Sequence, residues 1–145
     1  MNVFTILLII NLFMPHLITM KNDAKVQDVY YKVYPIGKVL KEAGRCYLSI
    51  NPEYQEGLMG LEKFSHVQVL YWFHENDTPE KRSILQVHPK GNPDNPKRGV
   101  FSTHAPVRPN LIAISECRII SIEKNIVEID DIDAYDNTPI LDLKN

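Results

Sequence analysis

The feature that most narrows the possible folds is the spacing of the apolar patches. They are short, rich in β-branched and aromatic residues, and cut apart by turn residues every few positions. Tyr30–Leu40 (YYKVYPIGKVL) and Arg45–Ile50 (RCYLSI) read as strands, with Ala43-Gly44 as the turn between them. His66–Phe73 (HVQVLYWF) opens as alternation and closes as a continuous apolar run, the pattern of a central strand. Leu111–Glu123 alternates, Lys124-Asn125 turns, and Ile126–Asp130 returns, which predicts a hairpin. Between these, Pro52–Phe64 has loosely helical spacing interrupted by Gly57 and Gly60, enough for a short helix or turn. Thr78-Pro79-Glu80 is a helix-opening signal within Asp77–Ser83, and Ile84–His88 fits a short strand. No segment supports a long amphipathic helix and no βαβ rhythm appears. The expected fold is therefore mainly β, a small closed β-barrel with short helices. Pro89–Lys97 (PKGNPDNPK) holds three prolines and one glycine in nine residues and is expected to be a long binding loop.

At 145 residues the chain has the length of one domain that can bury a core without staples. The β domain is expected over residues 30–145, with a polar lead-in over 20–29. Met1–Thr19 carries no charge and is broken by Pro15. It is short for a membrane span, which needs about twenty apolar residues. It also lacks both a preceding basic residue and a clear small-residue cleavage site. Three readings fit it: a start assigned too far upstream, a signal or anchor, or an extra element packed on the domain. Each leaves it outside the β domain, so residues 20–145 are expected to be cytoplasmic and to have no stable membrane partner. Cys46 and Cys117 stand in no metal-ligand spacing and are read as two reduced, buried thiols.

The formal net charge of -2 argues against a strongly basic nucleic-acid binder, but it hides an asymmetry. Glu80–Arg108 holds six basic residues against two acidic ones, whereas Ile119–Asn145 holds seven acids against two lysines. A basic half could face a polyanion; two solvated faces of a neutral protein fit the charges equally well.

Several chemistries are excluded by absent motifs. The sequence has no GxGxxG after a strand, no GxxxxGK[ST], no HExxH, no HxE with PCxxC, and no GxSxG. A metal site is not expected. One stretch stands out, Gly99–Ser115 (GVFSTHAPVRPNLIAIS). Pro106 and Pro109 stiffen the backbone around Arg108, whose planar guanidinium suits a carboxylate or phosphate. Spacing alone favours a proline-rich turn with a surface arginine.

That stretch resembles the TsaA/TrmO family signature GVFATRSPxRPNPIGLS. Three more stretches match the family in order: PIGKV at Pro35–Val39, GLEKFSHVQVLYWFHEN at Gly60–Asn76, and DIDAYDNTPILDLK at Asp131–Lys144. The match runs from about Tyr31 to the C-terminus. The resemblance implies a β-barrel methyltransferase that forms a homodimer and binds S-adenosyl-L-methionine beside the subunit interface. It further implies methylation of the N6 nitrogen of threonylcarbamoyladenosine next to the anticodon of tRNA. Cofactor contacts would fall on His74, Glu75, His104, Ile114, Asp133, Ala134, Tyr135 and Asp136. Arg108 and Asn110 stand at the family's Arg-Pro-Asn, and Lys90, Lys97 and Arg98 beside the signature would meet tRNA phosphates. The target nitrogen is a poor nucleophile until its proton leaves, and Glu75, Asp136 and His74 are the candidate bases.

The departures are specific. His104 stands where the family has arginine, Leu111 replaces a proline, Ala113 a glycine, and Asn137 the glycine of DGTP. The Pro-Arg-Gln motif of longer members is missing and the chain ends at LDLKN, so it is most similar to short, archaeal-like members. A fixed charge becomes a titratable one at His104. Two other functions therefore stand beside the first: a catalytically weakened S-adenosylmethionine-binding protein, and a methyltransferase on a different substrate.

Overall fold

The computed structural model describes residues 29–145. Within them Val33–Asn145 is one compact unit. Met1–Thr19 and most of the polar lead-in lie outside the described residues.

Six strands close a barrel: β1 (Gly37–Glu42), β2 (Arg45–Ile50), β3 (His66–Trp72), β6 (Ile112–Glu123), β7 (Ile126–Ile129) and β8 (Pro139–Lys144). Their order around the barrel is β1-β2-β7-β6-β3-β8, each pair antiparallel, and β8 returns to β1. Two short strands, β4 (Gln86–Val87) and β5 (Arg98–Gly99), pair with each other outside it. The expectation of a mainly β closed barrel holds.

The barrel interior follows from side-chain alternation. Val67, Val69 and Tyr71 of β3 point inward, as do Cys46, Leu48 and Ile50 of β2, and Val39, Ala113, Cys117, Val127, Ile129 and Ile140 join them, with Leu58 and Ile132 from outside the strands. The β1–β2 hairpin turns at Ala43 and Gly44, whose φ values of 49° and 76° give the doubly left-handed turn that matches strand twist. Both cysteines are buried and free. Burial pushes the Cys117 thiol up to about 12, so it is an inert filling group.

The start of β1 differs from the sequence pattern. Residues 29–36 carry no strand; the run from Tyr30 reaches the ladder only at Gly37, after Pro35, which has no backbone donor. Pro52–Phe64 forms two 3-10 turns, Pro52–Leu58 and Leu61–Lys63. The strand β8 closes the barrel although its PILDLK sequence opens on proline, a residue a strand tolerates at its first position. As expected, Thr78 caps the one α-helix among the described residues, α1 (Pro79–Arg82), accepting a hydrogen bond from the Lys81 N–H at 3.3 Å.

Candidate functional site at one barrel rim

The strand β3 runs out at Trp72 and passes through Phe73 into a 3-10 turn, His74–Asn76, so these side chains emerge at the barrel rim. The β7–β8 connection, residues 130–138, lies over the same end. Tyr71 ties the two together. Its hydroxyl donates to the Asp133 carbonyl at 2.8 Å and shares a 3.1 Å hydrogen bond with Ser115 of β6. Burial pushes its phenol pKa up, so this hydroxyl keeps its proton and serves as a fixed tether.

The third component is the loop leading into β6. A cluster on its flank fixes it to the rim. The Arg82 Nε donates to Asp77 at 2.8 Å, its NH1 donates to the Pro109 carbonyl at 2.8 Å, and its guanidinium lies 5.3 Å from the Trp72 ring centre. The Trp72 indole N–H donates to the other Asp77 oxygen at 3.1 Å. Hydrogen bonds from Arg82 and then Trp72 hold the Asp77 carboxyl below the usual carboxylate range. Sequence reading passed over Trp72, Asp77 and Arg82. The i, i+5 spacings of the three would have been the only signal.

Three cavities open at this rim. The first, about 550 Å³, is lined by Phe73, Arg108, Ile112, Ile114 and Ser115 among others. The second, about 350 Å³, is lined by Lys41, His74, Glu75, Ala134 and Tyr135 among others. The third, about 960 Å³, lies under the Pro89–Lys97 loop and is the most apolar. His104 and Asp133 line all three. The cavities therefore converge on one imidazole and one carboxylate, both exposed.

Most of the sequence-derived residues meet here. His74, Glu75, Ala134 and Tyr135 line the second cavity, Ile114 and Arg108 the first, Lys90 and Arg98 the third. The His74 Nε2 lies 3.3 Å from a Glu75 carboxylate oxygen. Arg108 folds back over its own loop, with long contacts of 3.4 Å to the Thr103 carbonyl and 3.5 Å to that of Val100. Asp136 is placed differently. One of its oxygens accepts the Lys41 backbone N–H at 2.8 Å and the other the Asn137 side-chain amide at 2.7 Å. It braces the left-handed turn at Asn137 (φ 62°) and lines none of the three cavities. Asn110 and Lys97 also lie outside the linings.

Lys41 was missed. It leaves β1 toward the rim, donates to the Ile132 carbonyl at 2.8 Å, lies 3.9 Å from Asp131, and lines the second cavity. Nothing in the local sequence separates it from a surface lysine; only barrel closure brings β1 beside the β7–β8 connection. Among the described residues no group of His, Cys, Asp and Glu is placed to hold a metal ion.

Residues 30–145 match the family model for the tRNA-methyltransferase O (TrmO) N-terminal domain. The chain belongs to this family. It is 47% identical over 114 residues to a probable S-adenosyl-L-methionine-binding protein of Methanocaldococcus jannaschii, covering 79% of this chain and 90% of the relative. A similar relative from Pyrococcus horikoshii is 45% identical over 114 residues, covering 79% and 81%. Mouse tRNA (adenine(37)-N6)-methyltransferase is 42% identical over 94 residues, which is 65% of this chain but 21% of the mouse protein. The crystal structure of TrmO from Pseudomonas aeruginosa is similar with a TM-score of 0.60 and 30% identity, covering 80% of this chain. The chain spans about half, 55%, of that bacterial protein. The TrmO-type barrel expected from the four sequence motifs is thus the fold and the family of this protein.

Proposed function

We propose that this TrmO-family barrel is an S-adenosyl-L-methionine-dependent methyltransferase that acts on the N6 nitrogen of threonylcarbamoyladenosine next to the anticodon of tRNA. The observation that carries the reading is the meeting of three cavities at His104 and Asp133. A two-substrate transfer needs two separate compartments with one shared junction, and this rim provides it.

The residues present fit the cofactor. The first and second cavities, about 550 and 350 Å³, lie within the size range of small-molecule sites. The second is lined by one ammonium, Lys41, and two carboxylates, Glu75 and Asp133. S-adenosylmethionine carries one carboxylate and two positive centres, so the charges are complementary. His74, Glu75, Asp133, Ala134 and Tyr135 would hold it, with His104 and Ile114 from the adjoining cavity. When bound, it supplies an electrophilic methyl group on a sulfonium. The chain's own residues then orient the target nitrogen and accept its proton. Asp136 is committed to the Asn137 turn, which leaves the His74–Glu75 pair as the better placed base.

The same rim favours a homodimer. Phe101 is 80% exposed, Ile112 40% and Ile114 46%, and all three line the first cavity, leaving an apolar wall that a second copy would cover. Light scattering should therefore give a dimer at micromolar concentration, and Phe101→Glu a monomer with weakened cofactor binding. A wild-type monomer in saturating S-adenosylmethionine rejects this interface. The protein is proposed to act in the cytoplasm; among the described residues no helix is long and apolar enough to cross a membrane.

The decisive test of the activity uses His104. Its imidazole stands at the junction where the family has arginine. A charge-assisted hydrogen bond contributes about 1.5–3 kcal/mol against about 1 kcal/mol for a neutral one. His104→Arg should accordingly raise single-turnover methylation of threonylcarbamoylated tRNA about tenfold. Equal rates would show that His104 has no electrostatic role. Tight cofactor binding with no transfer by either protein would favour the binding-protein reading.

A further inference from the structure

The short helix α1 stands beside two arms of the rim and is bonded to both. One arm is the turn His74–Asn76 with Asp77 after it. There the Lys81 ammonium donates to the Glu75 carbonyl at 2.9 Å, and the Arg82 Nε donates to Asp77 at 2.8 Å. The other arm is the loop that carries His104, where a terminal nitrogen of Arg82 donates to the Pro109 carbonyl at 2.8 Å. Both arms wall the second cavity: His74, Glu75 and Asn76 from the first, His104 and Pro106 from the second.

The His104 loop has little else to hold it. Pro106 and Pro109 have no backbone N–H to donate. The Ala105 N–H bonds within the loop, to the Thr103 hydroxyl, and the Arg108 contacts to the Thr103 and Val100 carbonyls are long. Among the described residues, the Arg82 bond to Pro109 is the only hydrogen bond from residues 104–110 to any part of the chain outside 99–112.

Arg82 can span the two arms because its nitrogens lie in one rigid plane and point along different edges. That plane is itself fixed, with its central carbon 5.3 Å from the Trp72 ring centre. The Trp72 indole N–H holds the other Asp77 oxygen, so the carboxylate cannot swing away from Arg82. Neither Arg82 nor Asp77 lines any of the three cavities. A helix of four residues is too short to persist alone, so these side-chain bonds hold helix and arms together.

We propose that Arg82 is a positioning residue, a clamp that fixes the His74–Asn76 turn and the His104 loop at the separation where S-adenosylmethionine fits between them. The clamp rests on the reading that the second cavity holds the cofactor, and it assigns the shape of that cavity to a side chain outside it. Walls fixed in advance spare the ligand the cost of ordering them. Loss of the clamp should therefore weaken binding and free the two arms while the barrel stays folded.

The test uses the whole chain without RNA. By calorimetry, Arg82→Ala should bind S-adenosylhomocysteine about fivefold more weakly than wild type. Arg82→Lys keeps a charge beside Asp77 but cannot reach both acceptors, so it should lose nearly as much. Amide hydrogen exchange supplies a readout that a general loss of stability would not produce. In both variants residues 74–77 and 103–110 should exchange about tenfold faster, while β2 and β7 keep wild-type rates. Affinity within about twofold of wild type in the folded variants overturns the proposal, as does exchange that quickens evenly over barrel and rim. If Arg82→Ala does not fold, Arg82→Lys decides alone. If wild type itself does not bind S-adenosylhomocysteine, the cofactor reading fails and the clamp falls with it. If wild type and variants bind equally well, the clamp alone fails.

Discussion

Asp133→Asn is expected to weaken S-adenosylmethionine binding about tenfold or more, the largest loss from any single polar change at the rim. Asp133 alone among the acidic residues lines all three cavities. A bond between a charged acceptor and a ligand donor contributes about 1.5–3 kcal/mol, and about 1.4 kcal/mol corresponds to tenfold in affinity. The side chain is exposed in the free protein, so solvent screening places the effect at the lower end of that range. The substitution should not disturb the fold, because the segment is held by the Tyr71 hydroxyl on the Asp133 backbone carbonyl and not by the carboxylate. Calorimetry against both S-adenosylmethionine and S-adenosylhomocysteine separates charge from shape. S-adenosylhomocysteine lacks the sulfonium charge, so its affinity should fall less and the preference between the two ligands should narrow. Unchanged affinities for both would mean that the cofactor lies elsewhere.

Gly37→Ala should destabilise the barrel by about 3 kcal/mol, the upper part of the range for overpacking. A Cβ at Gly37 would stand 2.3 Å from the Ser49 carbonyl oxygen and 2.8 Å from the Ile50 Cα, both backbone atoms that cannot rotate away. The position is the barrel's seam: Gly37 pairs with Ile50 on β2 and with Ile140 on β8. Relieving the clash must pull β1 from one neighbour or the other and open a buried edge. Gly57→Ala is the control, since a Cβ there meets nothing within 4 Å. Urea unfolding should show a much lower midpoint for Gly37→Ala and a near wild-type one for Gly57→Ala. Equal midpoints would show that the seam has room for a methyl group. The glycine of the PIGKV motif is thereby a packing requirement, independent of catalysis.

Local chemistry was enough wherever a segment's neighbours in sequence are also its neighbours in space. The β1–β2 and β6–β7 hairpins are of this kind: alternation set their inward faces, and Ala43-Gly44 and Lys124-Asn125 set their turns. So are the short helix after Thr78 and the irregular Pro89–Lys97 loop. The family motifs likewise singled out His74, Glu75, His104 and Asp133 to Tyr135, all of which line the cavities at the rim.

Tertiary structure decided everything that depends on closure. β8 opens on proline and sets Asp142 and Lys144 on either side of Leu143, so it has little strand character of its own; it becomes a strand because β1 and β3 each leave a ladder for it. Closure also brings Lys41 of β1 to the rim, turns Asp136 toward the Lys41 backbone and away from the cavities, and sets the Trp72–Asp77–Arg82 cluster against Pro109. Sequence by itself determined which residues can bind charge or fill a core, since that follows from side-chain chemistry and period. Which of them face one cavity is fixed by long-range strand register, and no local pattern encodes a pairing between residues about a hundred positions apart, such as Gly37 with Ile140.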